Sequence, residues 1–318
     1  MGEQAVVRAP AALVDGDVDL ARREVAGGGS RLERALAEHL RADGHGSVYD
    51  RPAAFEAFIR GGGNVALYAA VGTALADLYD RFRPAALLDV GCGDGTALLP
   101  ALQAARHHPA HLDLLEPSAP LLGAALERLR QRAGSDPRTQ VHAHPVTAQA
   151  FTTGLAAQPD PARTWDLVQS TFALHAIDHD QRAAVLRDLR PHVARLAVVE
   201  FDVPDVAVGS PDHLRFLHRT YEQGLAEYSD DRDLVAQGFL MPVLTGQLRP
   251  GAVRATFEQP ATAWARQLQR AGWTDVTTRP LHDYWSSPAF LVTARGGVGT
   301  SGGSAGSSHA ARAGMNTA

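Results

Sequence analysis

The fold class predicted by this sequence is α/β: a doubly wound, mostly parallel seven-stranded sheet with a helical cap. Three observations predict it. From residue 86 onward, short apolar runs alternate with amphipathic stretches, the texture of strand–helix units whose strands are covered on both faces. The first of those strands runs straight into a glycine-rich turn. The last two patterned runs meet at Ser286-Ser287-Pro288, a turn that lets a final antiparallel pair close the sheet.

Taken in order, residues 1–30 are rich in Ala and Gly, end in Gly27-Gly28-Gly29, and read as a flexible lead-in. Residues 31–84 read as an N-terminal helical cap. Leu32, Ala35, Leu36 and Leu40 recur at helical spacing, and a second helix runs from Asn64 to Phe82. The triplet Gly61-Gly62-Gly63 before it is either a hinge or a close approach of backbone to a ligand. Residues 85–203 hold strands at Ala86–Val90, His111–Glu116, Gln140–His144, Trp165–Ser170 and Leu196–Phe201. Helical patterns separate them at Thr96–Arg106, Ser118–Gln131, Thr147–Leu155 and Gln181–Leu189. Residues 204–259 form an insert, a helix from Pro211 to Tyr228 and then a stretch without strand–helix rhythm that reads as a lid. Residues 260–295 complete the core with a helix over Ala261–Ala271, stopped by Gly272, and strands at Asp275–Tyr284 and Ala289–Thr293. Seven glycines and four serines in residues 296–318 mark a disordered tail.

Composition narrows the function classes. Hydrophobic residues make up 45% of the 318, enough for a packed core, and the net charge of -5 offers no electrostatic footprint for nucleic acid. The basic residues number 30 and all are arginine. A single cysteine makes no internal disulfide, so a reducing, cytoplasmic setting is expected. No apolar run approaches the ~18 residues of a membrane span, and a small molecule is the expected partner. A homodimer is the expected assembly.

The first strand runs into the segment Leu87-Leu88-Asp89-Val90-Gly91-Cys92-Gly93-Asp94-Gly95-Thr96. A glycine-rich turn from strand to helix lets backbone approach a ligand and points helix N–H groups at it. The dinucleotide pattern G-x-G-x-x-G fails because Thr96 stands where its last glycine belongs. The order Asp-x-Gly-x-Gly-x-Gly resembles motif I of class I S-adenosylmethionine-dependent methyltransferases. Glu116 lies 21 residues beyond Gly95, at a strand end where a carboxylate accepts ribose hydroxyls. The fourth strand, ending Gln169-Ser170-Thr171-Phe172, and the reversed last strand fit the same resemblance. It implies S-adenosylmethionine as cofactor. Asp89, Gly91, Gly93 and Gly95 would shape the methionine-end pocket, Glu116 would hold the ribose, and Ser170 and Thr171 would lie nearest the sulfonium. Where the family often has an acidic residue after strand three, this chain reads Val141-His142-Ala143-His144-Pro145, leaving Thr147 or Gln149 as adenine contacts.

Methyl transfer to a hydroxyl needs a base, and transfer to a carbon beside a carbonyl needs a stabilised enolate. His175, just past strand four, is either packed or a general base. Glu200 near the end of strand five, His218 on the helix of the insert and His282 on the penultimate strand form a two-imidazole, one-carboxylate set. That set binds Zn(II), Fe(II) or a similar divalent ion and would make all three catalytic; the bland alternative is inert, half-buried histidines. The segment Phe58-Ile59-Arg60-Gly61-Gly62-Gly63-Asn64-Val65-Ala66-Leu67-Tyr68 resembles bacterial 2-oxo-acid C-methyltransferases of peptide-antibiotic pathways. It implies Arg60, Asn64 and Tyr68 at the cofactor and substrate entrance, and methylation of a β-carbon through a metal-held enolate. The competing expectation is O- or N-methylation of a small natural product with a histidine base.

Overall fold

In the computed structural model, adjacent residues of β1 (Ala86–Val90) divide between two cores: Leu87 joins one and Leu88 the other. This follows from the two-residue alternation of a strand, and it requires cover on both faces. The structure describes residues 7–42, 52–131, 139–157, 163–229, 231–251 and 256–298. The sheet contains β1, β2 (His111–Leu115), β3 (Gln140–His144), β4 (Trp165–Thr171), β5 (Val193–Phe201), β6 (Thr274–His282) and β7 (Ala289–Arg295), in the spatial order β3-β2-β1-β4-β5-β7-β6. The first five run parallel, while β7 is antiparallel to both β5 and β6. The expected doubly wound sheet and its reversed final strand are both present.

Helices before β1 form the first departure from the sequence reading. Residues 1–30 were expected to be a flexible lead-in, yet α1 (Arg8–Val14) and α2 (Val18–Val25) are regular helices, with Asp17 capping the second through the Leu20 amide. Each is only two turns long, too short for its pattern to stand out in the Ala- and Gly-rich stretch around it. Helix α3 (Arg31–Arg41) starts at a capping box of Ser30 and Glu33. It is followed by α4 (Pro52–Arg60) and α5 (Asn64–Phe82).

Within the sheet region, α6 (Leu98–Ala104) and α7 (Ala119–Gln131) pack with α5 on one face. On the other face lie α8 (Ala148–Ala157), α9 (His179–Leu189) and the C-terminal helix Ala261–Arg270. Beyond β5 comes α10 (Pro211–Ala226). The stretch expected to lack rhythm is helical as well, from Arg232–Val235 through a π-turn at Ala236–Leu240 to Met241–Leu248. Its residues Val235, Leu240, Met241 and Leu244 join Leu13, Leu32, Leu36 and Leu217 in a third core. Helices α1–α3 and the insert thus share one core, whereas α5 packs on the sheet. The disordered tail expected over 296–318 falls, from residue 299, outside the described residues. No helix among the described residues is long and apolar enough to cross a membrane.

Candidate active site

Parallel strands deliver their carboxyl ends to one edge of the sheet, and the turn after β1 lies there. Gly91, Gly93 and Gly95 take φ of 71°, 55° and 82°, values that favour glycine. Two of them show why. A Cβ on Gly91 would sit 2.3 Å from the Cβ of Ala173, on the loop after β4. A Cβ on Gly93 would meet nothing within 4 Å, so that residue is bare toward open space at the mouth of the turn.

Glu116 is buried and held by main chain. Its Oε2 accepts the Gly93 amide at 3.1 Å, and its Oε1 accepts the Ser118 amide at 2.9 Å. The glycine turn and the second strand end are therefore one unit, with a carboxylate fixed between them. Asp89 is buried one layer below. Burial pushes its carboxyl up to about 7, the Gln169 amide pulls the other way, and the nearby Glu116 charge adds to the rise. The Tyr79 hydroxyl donates to Gln169 Oε1 at 2.6 Å, which anchors that amide. Asp94 faces elsewhere: Arg128 Nη1 donates to its Oδ2 at 2.6 Å and Thr96 Oγ1 to its Oδ1 at 2.6 Å.

The remaining candidates separate. Ser170 Oγ donates to the Val90 carbonyl at 2.9 Å and ties β4 to β1. Thr171 Oγ1, one residue on, is buried without a hydrogen-bond partner. Tyr68 packs edge-on against Phe172, and burial, with the Asp94 charge adding, raises its phenol. Asn64 is buried away from the turn: its Nδ2 donates to the Phe58 carbonyl and to Tyr228 Oη, and its Oδ1 accepts Tyr284 Oη. Arg60 pairs on the surface with Glu56 at 2.7 Å. The glycine triplet before Asn64 lies against the Tyr228 ring and Glu227, a seam between cap helices. Beyond β3, Thr147 Oγ1 accepts the Ala150 amide and Gln149 pairs with Gln181, while His144 Nε2 and Trp165 Nε1 bind Asp113.

The expected metal set does not assemble. Both oxygens of Glu200, which is 1% exposed, are engaged by His175: Nδ1 lies 2.8 Å from Oε2 and the His175 amide donates to Oε1 at 3.1 Å. His218 is in the cap, where it lines a small cavity with Leu32, Leu36 and Glu24; its Nε2 is buried without a partner and burial lowers its proton affinity. His282 ends β6, beside a bulge and opposite Ala289. Among the described residues no three His, Cys, Asp or Glu side chains are grouped to hold a metal ion. Spacing along a chain cannot foresee this, since the partner of Glu200 is set by how the turn after β4 leans over β5.

His175 and Glu200 instead form a buried dyad at the same sheet edge. Burial works to lower the His175 pKa, but the Glu200 carboxylate outweighs it, Glu258 adds to the rise, Arg182 opposes it, and the net is upward. An aromatic run packs against the core on the α5 face: Phe172 stacks on Phe201 at 4.4 Å, Phe201 on Tyr284 at 5.3 Å, and Trp285 follows. Sequence reasoning did not find this run because its members come from separate elements.

Residues 88–198 match the family model Methyltransf_12, a methyltransferase domain. The matched core has the fold of a class I methyltransferase domain. Among solved structures, the chain is similar to SCL7 of Oryza sativa at 15% identity, over 92% of this chain and 99% of that one, with a TM-score of 0.61. It is similar to the S-adenosylmethionine-dependent methyltransferase SibL at 18% identity, over 90% and 76%, with a TM-score of 0.50. A candidate O-methyltransferase from Nostoc punctiforme PCC 73102 matches at 16% identity over 70% of this chain, with a TM-score of 0.45; the chain covers 55%, about half, of its length. At these identities the likeness is one of fold. No curated protein sequence matches the chain significantly.

Proposed function

We propose that this methyltransferase binds S-adenosylmethionine at the glycine turn and methylates a small molecule that must lose a proton, with His175 as the base. The residues of the turn fit that nucleoside. Gly93 leaves open space where a side chain would stand, Glu116 presents a fixed carboxylate at the ribose position, and Thr171 supplies an unsatisfied buried hydroxyl. Bound there, S-adenosylmethionine supplies an already activated methyl group.

One observation carries the choice of chemistry: the 2.8 Å contact of His175 Nδ1 with a Glu200 carboxylate that is itself buried. A carboxylate on one ring nitrogen fixes the tautomer and stabilises the imidazolium, leaving Nε2 to take a proton from an acceptor. A hydroxyl acceptor needs no more than this base. A 2-oxo acid would need, besides the base, a clamp on its keto oxygen, and Glu200, His218 and His282 do not converge to provide one. The geometry therefore favours O-methylation over carbon methylation.

The test supplies methyl-labelled S-adenosylmethionine with a panel of phenols, alcohols, amines and 2-oxo acids. Label on oxygen is expected; label on the carbon of a 2-oxo acid would replace this reading with the enolate one. By calorimetry, Glu116→Ala should weaken S-adenosylmethionine about 10-fold or more, the size of a lost charged hydrogen-bond pair. Unchanged affinity would remove the nucleoside from the turn.

A further inference from the structure

A fully buried arginine on α9, Arg182, is bonded to the chain on both sides of His175. Its exposure is 0%. Its Nη1 donates to the carbonyls of Leu174 at 3.2 Å and Ile177 at 3.4 Å, which bracket His175 in the chain, and to that of Phe257 at 3.0 Å. The Phe257 amide in turn donates to the His175 carbonyl at 2.7 Å. Nε donates to Gln267 Oε1 at 3.0 Å, Nη2 lies 2.8 Å from His179 Nδ1, and the guanidinium sits 4.1 Å over the Trp264 ring. A planar fork with five donors suits such convergence, and an ammonium does not.

We propose that Arg182 is the positioning residue of the dyad: its buried guanidinium locks the turn 174–177 to the segment at Phe257, and so sets the His175 ring against Glu200. The proposal rests on His175 being the base. The turn needs such a lock. It has only the three residues Leu174–Ala176 in 3-10 geometry, preceded by Phe172 at a positive φ of 49°, and so short a turn does not hold a side chain within the tolerance that proton transfer demands. The carbonyls before and after His175 are pinned to one group, and a third bond closes the ring through Phe257. Trp264 and Gln267 hold that group from the C-terminal helix, so the neighbouring helix of the same layer is coupled to the base.

Arg182→Lys tests this, because lysine keeps the charge and much of the stem but loses the Nε bond to Gln267, the Nη2 contact with His179 and the flat face on Trp264 that hold the group in place. The first readout is the His175 ring resonance through a pH titration of the protein alone, assigned by its loss in His175→Gln. The groups around that ring are Glu200 from β5, Glu258 beside Phe257, and Arg182 and His179 from α9. Since the charge at 182 is kept, loosening of the Glu200 contact should move His175 to a lower pKa and abolish the downfield Nδ1 proton signal. Turnover with the best hydroxyl acceptor of the panel should fall about 10- to 100-fold, the usual cost of a small misplacement, with S-adenosylmethionine affinity within twofold of wild type. A lower Tm with an unchanged His175 titration would overturn the proposal, because a merely structural arginine does that. If Arg182→Lys does not fold, Trp264→Phe, which thins the stack on the guanidinium, should shift the same resonance in the same direction; no shift there overturns it. The titration reads position without activity, so a His175→Ala enzyme of full rate would sink the base assignment and leave the positioning result standing.

Discussion

At the scale of single residues the candidate site is built on two carboxylates with different company. Glu116 is held by two backbone amides, and Glu200 is held by an imidazole. The Glu200 partnership sets a pH dependence whose sign can be worked out. The folded pKa of His175 lies above the ordinary value, which is about 6.5. As a base His175 must be neutral, so turnover should rise with pH and level off above an inflection higher than that of a free histidine. Linkage runs the other way for stability. The contribution of the dyad is complete below the unfolded value and is lost as pH rises through the folded one. Glu200→Gln should lower the inflection of the rate profile, cut turnover about 10²- to 10⁴-fold, and flatten the fall of Tm with pH above neutrality. A Glu200→Gln profile that superimposes on wild type would show that the carboxylate does not govern the base.

At the scale of elements, the turn after β1 makes two glycines inequivalent although the sequence spells them alike. Gly91→Ala would drive a methyl group to 2.3 Å from Ala173, so the loop after β4 must retreat and carry the His175 turn with it. We expect a loss of about 2–4 kcal/mol, the range of a core clash added to a strained φ, read by denaturant titration. Gly93→Ala meets only the backbone cost of a left-handed residue, about 1–2 kcal/mol, yet its methyl group enters the open space that we propose for S-adenosylmethionine. It should fold, and lose S-adenosylmethionine affinity out of proportion to its stability. Equal losses of binding and stability in both variants would refute the distinction. The same turn explains what was legible beforehand. Asp89, the glycines and Glu116 were readable because one continuous segment and one fixed spacing carry them. The dyad was only half readable: Glu200 and His175 were both singled out, but the pairing depends on a turn leaning across a neighbouring strand. Arg182 left a fainter trace, an arginine on the apolar face shared by Val185, Leu186 and Leu189, where a charged residue needs partners.

At the scale of the whole molecule, the chain folds as two faces of one sheet plus a cap with a core of its own. That third core draws on both ends of the core's flanking sequence: α1–α3 from the start of the chain, α10 and the helices to Leu248 from the insert. A cap assembled from segments some two hundred residues apart cannot be recognised from either segment alone, which is why residues 8–25 read as a loose leader. Its attachment to the sheet is polar and aromatic. Asn64 bonds to Tyr228 of the insert and to Tyr284 beyond β6, and Trp285 meets Tyr221 of α10. If α1 is integral to the cap, Leu13, which is 0% exposed, is a core residue and its truncation must cost accordingly. Leu13→Ala should therefore destabilise by about 2–5 kcal/mol, while a tail residue would cost nothing. Because the glycine turn packs in a different core, the lesion should leave S-adenosylmethionine affinity near wild type at temperatures where the variant is folded, and should sensitise the cap to proteolysis first. A Leu13→Ala protein with wild-type stability would return residues 8–25 to the role of a dispensable leader and leave the cap to α3 and the insert.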